Sequence, residues 1–204
     1  MTTALYAADA FRRHVTPPGH PEQVARLQAV AEGLAGLPLD RRDAPMGQDA
    51  DILRCHPSRY LERVRAAEPA QGWAQMDADT WLSPGPGEAA LRAVGGACAA
   101  VDAVLAGEVK NAFIAARPPG HHAERETAMG FCLFGTVAIA AKHALDHHGL
   151  SRVAIVDFDV HHGNGTQDLL WDEARCLFAS SHQMPLYPGS GAASEIGAHG
   201  QIIN

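Results

Sequence analysis

The apolar residues of this chain form short uninterrupted runs and longer stretches in which apolar positions recur with a helical period. Uninterrupted runs are typical of strands buried on both faces, and the helical period is typical of amphipathic helices. Strands are predicted at 3–7, 111–116, 152–160, 174–183 and 200–204. Helices are predicted at 20–34, 50–68, 88–107 and 130–149. Because strands and helices alternate, the pattern predicts an α/β fold, a three-layer α/β/α arrangement around a parallel sheet.

Prolines and glycines refine the limits of these elements. Pro21 suits the first turn of the first helix, and Pro57 predicts a break within the second. Gly107 and Gly149 predict the ends of the two later helices. The segment 69–87 is dense in proline and glycine and predicts a long loop.

Composition narrows the class of protein. With 204 residues, 47% of them hydrophobic, we expect one core and a single domain over residues 1–204. A formal net charge of -7 argues against a nucleic-acid partner. Charged residues interrupt the longest apolar stretches, so no membrane span is expected. The first residues lack a basic segment followed by an apolar core, so no secretory signal is expected. The four cysteines have no Cys-x-x-Cys spacing, which favours a reducing compartment. We therefore expect a cytoplasmic protein. The sequence does not determine its oligomeric state.

Ionisable residues follow the apolar run of the third strand, in the sequence VAIVDFDVHHGNGT at 153–166. On a strand, Asp157, Asp159 and His161 share one face. Parallel sheets place ligand sites at the carboxyl ends of their strands, so Asp159 and His161 are candidate zinc ligands. Asp157 lies further into the strand and suits a group that orients a histidine.

A second histidine pair follows the strand at 111–116, in the sequence RPPGHHAE. His121 and His122 are candidates for a general acid and base, because imidazole titrates near neutral pH. The pair His147 and His148 looks similar in sequence. It ends an exposed helix, however, and we interpret it as a polar turn.

Three further residues have ordinary interpretations when each is taken alone. Phe131, after Gly130, is expected in the core. Tyr187 lies in the loop sequence MPLYPGSG, and Asn164 belongs to an Asn-Gly turn dipeptide.

Taken together, these motifs resemble the zinc-dependent histone deacetylase family. The resemblance rests on RPPGHHA, GFCLF with VAIAA, DFDVHHGNGTQ and YPGSG, in this order. GHPE near the start and DADTWLSP before the long helix are similar to the class II branch, which includes histone deacetylase-like amidohydrolases and acetylpolyamine amidohydrolases. The resemblance implies an arginase/deacetylase-like fold. It also implies hydrolysis of acetyl-lysine or acetylated polyamines to the amine and acetate.

The resemblance implies a role for each motif residue. Zinc would be held by Asp159 and His161, with His121 and His122 at the metal-bound water. Asp157 and Asn164 would brace the two histidines. The substrate channel would be formed by Gly130, Phe131 and Tyr187. A structural potassium ion would draw on Asp157, Asp159, His161, Ser180 and Ser181.

The chain also departs from the family pattern. The family's third zinc ligand, an aspartate, and its transition-state tyrosine lie on segments beyond Asn204. In the family strand order 2-1-3-8-7-4-5-6, the strands missing here would lie between the third and fourth. We therefore expect a deacetylase domain that is truncated before its last strands, inactive or nearly so by itself, with two exposed apolar strand edges.

Two alternatives remain. The chain can be a non-catalytic remnant that acts as a binding or scaffold protein. A two-manganese ureohydrolase is less favoured, because those enzymes use Asp-x-His-x-Asp and Gly163 stands where the last acid belongs.

Overall fold

The computed structural model describes residues 2–204, which contain seven helices and eight strands. In chain order they are β1 (Thr3–Ala7), α1 (Ala10–Arg13), α2 (Ala25–Gly33), β2 (Leu39–Asp43), α3 (Asp49–Ile52), α4 (Ser58–Ala66), β3 (Ala74–Gln75), β4 (Trp81–Leu82), α5 (Pro86–Leu105), β5 (Asn111–Ile114), α6 (Thr136–Asp146), β6 (Val153–Asp157), α7 (Asn164–Leu169), β7 (Cys176–Ser180) and β8 (Ile202–Ile203).

The strands form two parallel three-stranded sheets and one short antiparallel hairpin. The first sheet has the order β2-β1-β5 and the second the order β6-β7-β8. The hairpin pairs β3 with β4 inside the segment that was predicted to be all loop. Parallel strands alternating with helices confirm the predicted α/β class. The two sheet orders match the two flanks of the family order, with β5 and β6 as the inner edges.

The burial predicted for β5 and β6 is wrong. Both were expected to be fully buried, yet Phe113 on β5 is 46% exposed and Val156 on β6 is 69% exposed. Within residues 2–204, β5 pairs only with β1, and β6 pairs only with β7. β5 and β6 are therefore edge strands of their sheets within the described residues, which agrees with the separate expectation of two exposed strand edges.

Other element limits also differ from the prediction. The run at 152–160 ends as a strand at Asp157, so Asp159 and His161 lie on the loop that follows and not on a strand face. The first long helix begins at Ala25, so Pro21 lies outside its first turn. Strand β2 was missed because its sequence, LDRRD, has the charged composition of an edge strand and no apolar run.

Helix α5 packs between the two halves of the core. Ala93 and Ala100 on one face belong to the cluster beneath the first sheet, and Val94 and Cys98 on the other face belong to the cluster beneath the second. The helix ends before Gly107, which has a positive φ of 73°, as predicted. No helix among the described residues has the length and apolarity that a membrane crossing requires.

Candidate active site

A buried ion pair anchors the loop that carries the first histidine pair. Arg117 follows β5 and is fully buried. Its guanidinium donates two hydrogen bonds to the Glu22 carboxylate, at 2.6 and 2.5 Å, and further bonds to the carbonyls of Phe11 and His14. The ion pair connects the N-terminal segment to the start of the RPPGHH loop. The loop that carries the histidines is therefore held in place at its first residue.

His121 is oriented by a carboxylate at the end of β6. Its Nδ1 lies 2.9 Å from Asp157 Oδ2. Burial alone would raise the pKa of Asp157, but the hydrogen bond and charge of His121, together with the Asp159 backbone N–H, outweigh burial and hold that pKa below its ordinary value. Asp157 is therefore a charged partner for His121.

His122 is oriented by an amide instead. Its Nδ1 donates to Asn164 Oδ1 at 2.8 Å, and Asn164 Nδ2 donates to Glu124 Oε1 at 2.7 Å. Glu124 fixes the amide orientation, so His122 carries its proton on Nδ1 and has a free lone pair on Nε2. Burial, together with the neighbouring His121, lowers the pKa of His122 to about 4. Sequence reasoning missed Glu124, although it stands two residues after the histidine pair.

Two glycines allow these segments to approach one another. Gly130 has a φ of 54°, and a Cβ there would lie 2.3 Å from Cδ2 of His122. A Cβ on Gly165 would lie 2.4 Å from the Ala123 carbonyl oxygen. The start of α7 therefore rests directly on the histidine loop, and the Thr166 N–H donates to the His121 carbonyl at 3.1 Å.

Asp159 and His161 lie together on the loop after β6. Asp159 Oδ1 is 3.1 Å from His161 Nδ1 and also accepts the His161 backbone N–H at 2.9 Å. Their side chains are roughly half-exposed, and the rings of His161 and His122 are 6.0 Å apart. A carboxylate oxygen and an imidazole nitrogen are zinc donors. The 3.1 Å between Asp159 Oδ1 and His161 Nδ1 lets one ion with bonds of about 2.0–2.2 Å contact both side chains. The donor set fits a zinc ion.

Two aromatic residues stand near the histidines. The ring of Tyr187 lies 5.1 Å from that of His122 and nearly perpendicular to it. Phe131 has a left-handed φ of 70°, its N–H donates to Thr80 Oγ1, and its ring meets the edge of His20 at 4.9 Å. Contacts from His20 and Thr80 explain how an unfavourable backbone angle is held. Both supporting residues were missed, although they lie in the segments GHPE and DADTWLSP.

The residues expected at a potassium site lie on neighbouring strand ends. Asp157 pairs with Ser180 in the register of β6 and β7, and the Ser181 N–H donates to the Asp157 carbonyl at 2.9 Å. The Ser180 hydroxyl is engaged with His182 Nδ1 at 2.9 Å. Asp157, Ser180 and Ser181 thus lie together at the ends of β6 and β7, and Asp159 and His161 follow on the loop after β6.

His162 has a different environment from its neighbour. It is buried, with Nδ1 2.9 Å from Ser190 Oγ and Nε2 3.1 Å from Gln167 Oε1. Gln167 in turn donates to Glu195. These bonds attach the segment 182–195, which carries Tyr187, to α7. Strand alternation in the sequence separates His162 from His161, but it does not predict the anchoring role, because both histidines lie on the loop after β6.

The comparisons with known proteins identify the family. The histone deacetylase domain family matches residues 20–204. The chain belongs to the histone deacetylase family.

Several relatives extend this picture. An uncharacterized protein of Synechocystis sp. is 45% identical over 100% of this chain and 68% of its own length. The histone deacetylase-like amidohydrolase of Pseudomonas aeruginosa is 44% identical over 90% of this chain and 50% of its own. A crystal structure of the HDA15 HD domain matches with a TM-score of 0.93 and 33% identity, covering 99% of this chain and 62% of that one. The chain thus spans between half and about two thirds of the length of these relatives.

Proposed function

We propose that the protein is a zinc-dependent amidohydrolase that removes the acetyl group from an acetylated amine, either acetyl-lysine or an acetylpolyamine. One observation carries the proposal. Two adjacent histidines, each oriented by its own partner at 2.9 and 2.8 Å, lie beside a carboxylate–imidazole pair with zinc-donor chemistry. Membership of a deacetylase family and relatives named as deacetylases support it.

Asp159 and His161 are the proposed zinc ligands. When bound, zinc supplies Lewis-acid activation of a water molecule and of the acetyl carbonyl. The histidines divide the proton transfers according to their partners. Asp157 can balance a positive charge on His121, whereas the neutral amide of Asn164 cannot balance one on His122. His122 is therefore the ring expected to be neutral before the reaction, and we assign proton acceptance to its Nε2 lone pair. We assign His121, beside Asp157, to stabilising the charge that develops.

The substrate would reach the site between aromatic side chains. In this proposal the partly exposed rings of Tyr187 and Phe131 would flank the approach to the histidine pair. Tyr187 packs against His122, and Phe131 follows Gly130, which lies against the same ring. An extended alkyl chain that ends in an acetamide fits between two rings, because its methylenes gain apolar contact there. Acetyl-lysine and acetylated polyamines share this chemistry.

Further parts of the proposal rest on individual residues. A potassium ion at Asp157, Asp159, His161, Ser180 and Ser181 would be structural. The four cysteines are free and buried, which suits a reducing compartment such as the cytoplasm. We retain a single domain over residues 1–204 as part of this proposal.

Activity of the isolated chain is a separate part of the proposal. A catalytic zinc normally has three protein ligands, and we assign two within the described residues. We expect the 204-residue chain to turn over substrate at least about 100-fold more slowly than a version extended to the length of its relatives, a loss typical of an incomplete catalytic site.

A fluorogenic acetyl-lysine assay and an acetylpolyamine assay, with and without a zinc chelator, test the proposal on both versions. Chelator-sensitive release of acetate by the extended version supports it. Zinc binding without turnover of any acetylated amine by the extended version would instead favour a non-catalytic binding protein. Activity that depends on manganese and not on zinc would contradict the assignment of the metal.

A further inference from the structure

A second histidine cluster lies away from the candidate active site, at the end of α6. His143 lies in the last turn of this helix, and His147 and His148 follow it directly. Each ring lies close to both others, with ring centroids 4.8 to 5.3 Å apart. One ligand nitrogen from each histidine can be chosen so that all three lie within 4.8 Å of one another. The spacing brings together three side chains that commonly bind metals.

A carboxylate on the neighbouring helix orients two of these rings. Asp102 of α5 accepts hydrogen bonds on the same Oδ1 atom from Nε2 of His143 and Nε2 of His148, both at 2.7 Å. In its neutral form, a histidine whose Nε2 donates to a carboxylate presents an unprotonated Nδ1. This is the arrangement that carboxylates impose on metal-binding histidines in proteins.

His143 carries a second and independent sign of a missing ligand. The residue is 6% exposed, and within residues 2–204 its buried Nδ1 has no hydrogen-bond partner. A buried polar atom without a partner lowers stability, because it has lost its hydrogen bonds to water. His143 and His147 also line one surface cavity of about 360 Å³, together with Asp102. A cation in this position would satisfy the lone pair that the protein leaves unpaired.

We propose that His143, His147 and His148 bind a transition-metal ion of the zinc type, with Asp102 orienting two of the imidazoles. Three neutral imidazoles favour Zn²⁺, Ni²⁺, Co²⁺ or Cu²⁺ over Mg²⁺ or Ca²⁺. Ligands around a tetrahedral zinc ion lie about 3.3–3.5 Å apart, so the rings must close slightly. His147 and His148 are exposed and can make that movement, while His143 provides the fixed ligand.

A neighbouring set of side chains competes for the same histidine. Atoms of Asp51, Cys98 and His143 also lie within 4.8 Å of one another. Burial raises the pKa of the Cys98 thiol to about 12, which disfavours the thiolate that binds metal. The histidine set needs no such deprotonation, and for that reason we favour it.

The test is zinc content by mass spectrometry after gel filtration, on a chain that carries Asp159→Ala so that the candidate active site retains no metal. We expect one Zn²⁺ per chain with the cluster intact. His147→Ala/His148→Ala should retain none, and Asp102→Asn should bind zinc about 10- to 100-fold more weakly. His199→Ala, at an exposed histidine outside the cluster, is the matched control and should leave the zinc content unchanged.

Two outcomes would overturn the proposal. The first is no bound zinc in the Asp159→Ala chain while the cluster is intact. The second is zinc that His147→Ala/His148→Ala retains and Cys98→Ser loses, since this would assign the site to Asp51, Cys98 and His143. Circular dichroism and thermal unfolding of each variant confirm that the fold is kept. Zinc content does not depend on catalysis. The metal-site proposal is therefore tested separately from the proposed deacetylase function.

Discussion

The chain has two neighbouring-histidine pairs that look alike in sequence and differ in their surroundings. His121 and His122 each have a separate partner, brought from 36 and 42 residues away. His148 instead shares its one carboxylate with His143, and His147 is exposed. Each ring of the first pair thus has its own hydrogen-bond partner on Nδ1, which is the arrangement that the proposed proton transfer requires. The second pair belongs to a group in which Asp102 takes Nε2 of His143 and His148, and the proposed metal site uses their other ring nitrogens.

This difference teaches that the partner, and not the histidine pair itself, defines the chemistry. A charged acceptor stabilises a positive imidazole, a neutral amide selects a neutral tautomer, and a shared carboxylate leaves lone pairs free. Each of the following variants changes one of the two regions while the other serves as a reference.

The largest expected difference concerns catalysis. In the extended version, His122→Ala should lower kcat/KM for an acetyl-lysine substrate by about 10²- to 10⁴-fold, because it removes the proposed proton acceptor. His199→Ala, at an exposed histidine outside both regions, should change the same constant by less than about twofold. A loss smaller than threefold for His122→Ala would show that the proton acceptor is another group.

The next largest effect concerns the buried ion pair between Arg117 and Glu22, which holds the loop of the first histidine pair. Arg117→Met removes both hydrogen bonds from the guanidinium to the buried Glu22 carboxylate and leaves it with the more distant Arg26, at 3.7 Å. This should lower the free energy of unfolding by about 3 kcal/mol, the low end of the range for breaking a buried pair. The double variant Arg117→Met/Glu22→Met should recover part of this loss. In the second region, His148→Ala removes a partly exposed pair and should cost about 1 kcal/mol or less. Urea unfolding measures all three, and equal losses in the two regions would contradict the comparison.

His56 is a third type of histidine, buried and neutral, and it makes the free energy of unfolding depend on pH. His56 accepts the Gly135 N–H on Nε2 and donates from Nδ1 to the Arg125 carbonyl. Burial lowers the pKa of His56 from 6.5 to about 4. Its contribution is fully present above pH 6.5 and is lost as pH falls towards 4, because the unfolded chain takes up the proton first. The loss should be about 2–3 kcal/mol.

Urea unfolding at pH 7.5 and pH 4.5 measures this loss. His56→Asn keeps a neutral donor and acceptor and should flatten the pH dependence by that amount. His199→Ala should leave it as it is. A wild-type slope that persists in His56→Asn would assign the acid sensitivity to other groups.

Much of this organisation could be predicted from the sequence, for a physical reason. Apolar runs and helical periods reflect local preference and burial, so β1, β7 and α5 are found close to their predicted limits. The general rule that sites form at the carboxyl ends of parallel strands placed the two motifs correctly. His121, after β5, meets Asp157 at the end of β6, although these strands belong to two different sheets within residues 2–204.

The remainder depends on contacts that no local pattern encodes. Arg117 and Glu22 are 95 residues apart, and the sequence around neither residue predicts that they pair. Glu124 acts on His122 only through Asn164, which stands 40 residues further along the chain. Strand β2 lacks an apolar run, and β5 and β6 have apolar runs without full burial. In each case the deciding factor is the position of a neighbouring element.

The smallest expected effect compares two glycines with positive φ, one in each region. Gly130 lies against the ring of His122, whereas Gly149 follows the second histidine pair and a Cβ there would meet no atom within 4 Å. Gly149→Ala should cost about 1 kcal/mol, the strain of a left-handed alanine alone. Gly130→Ala adds the clash with His122 and should cost about 2 kcal/mol, since overpacking a filled site adds at least about 1 kcal/mol. Urea unfolding of both variants isolates the contact between Gly130 and His122, because the backbone strain is common to the two. If the two losses are equal, the ring of His122 is free to move aside, and the fixed orientation assigned to the proton acceptor is wrong.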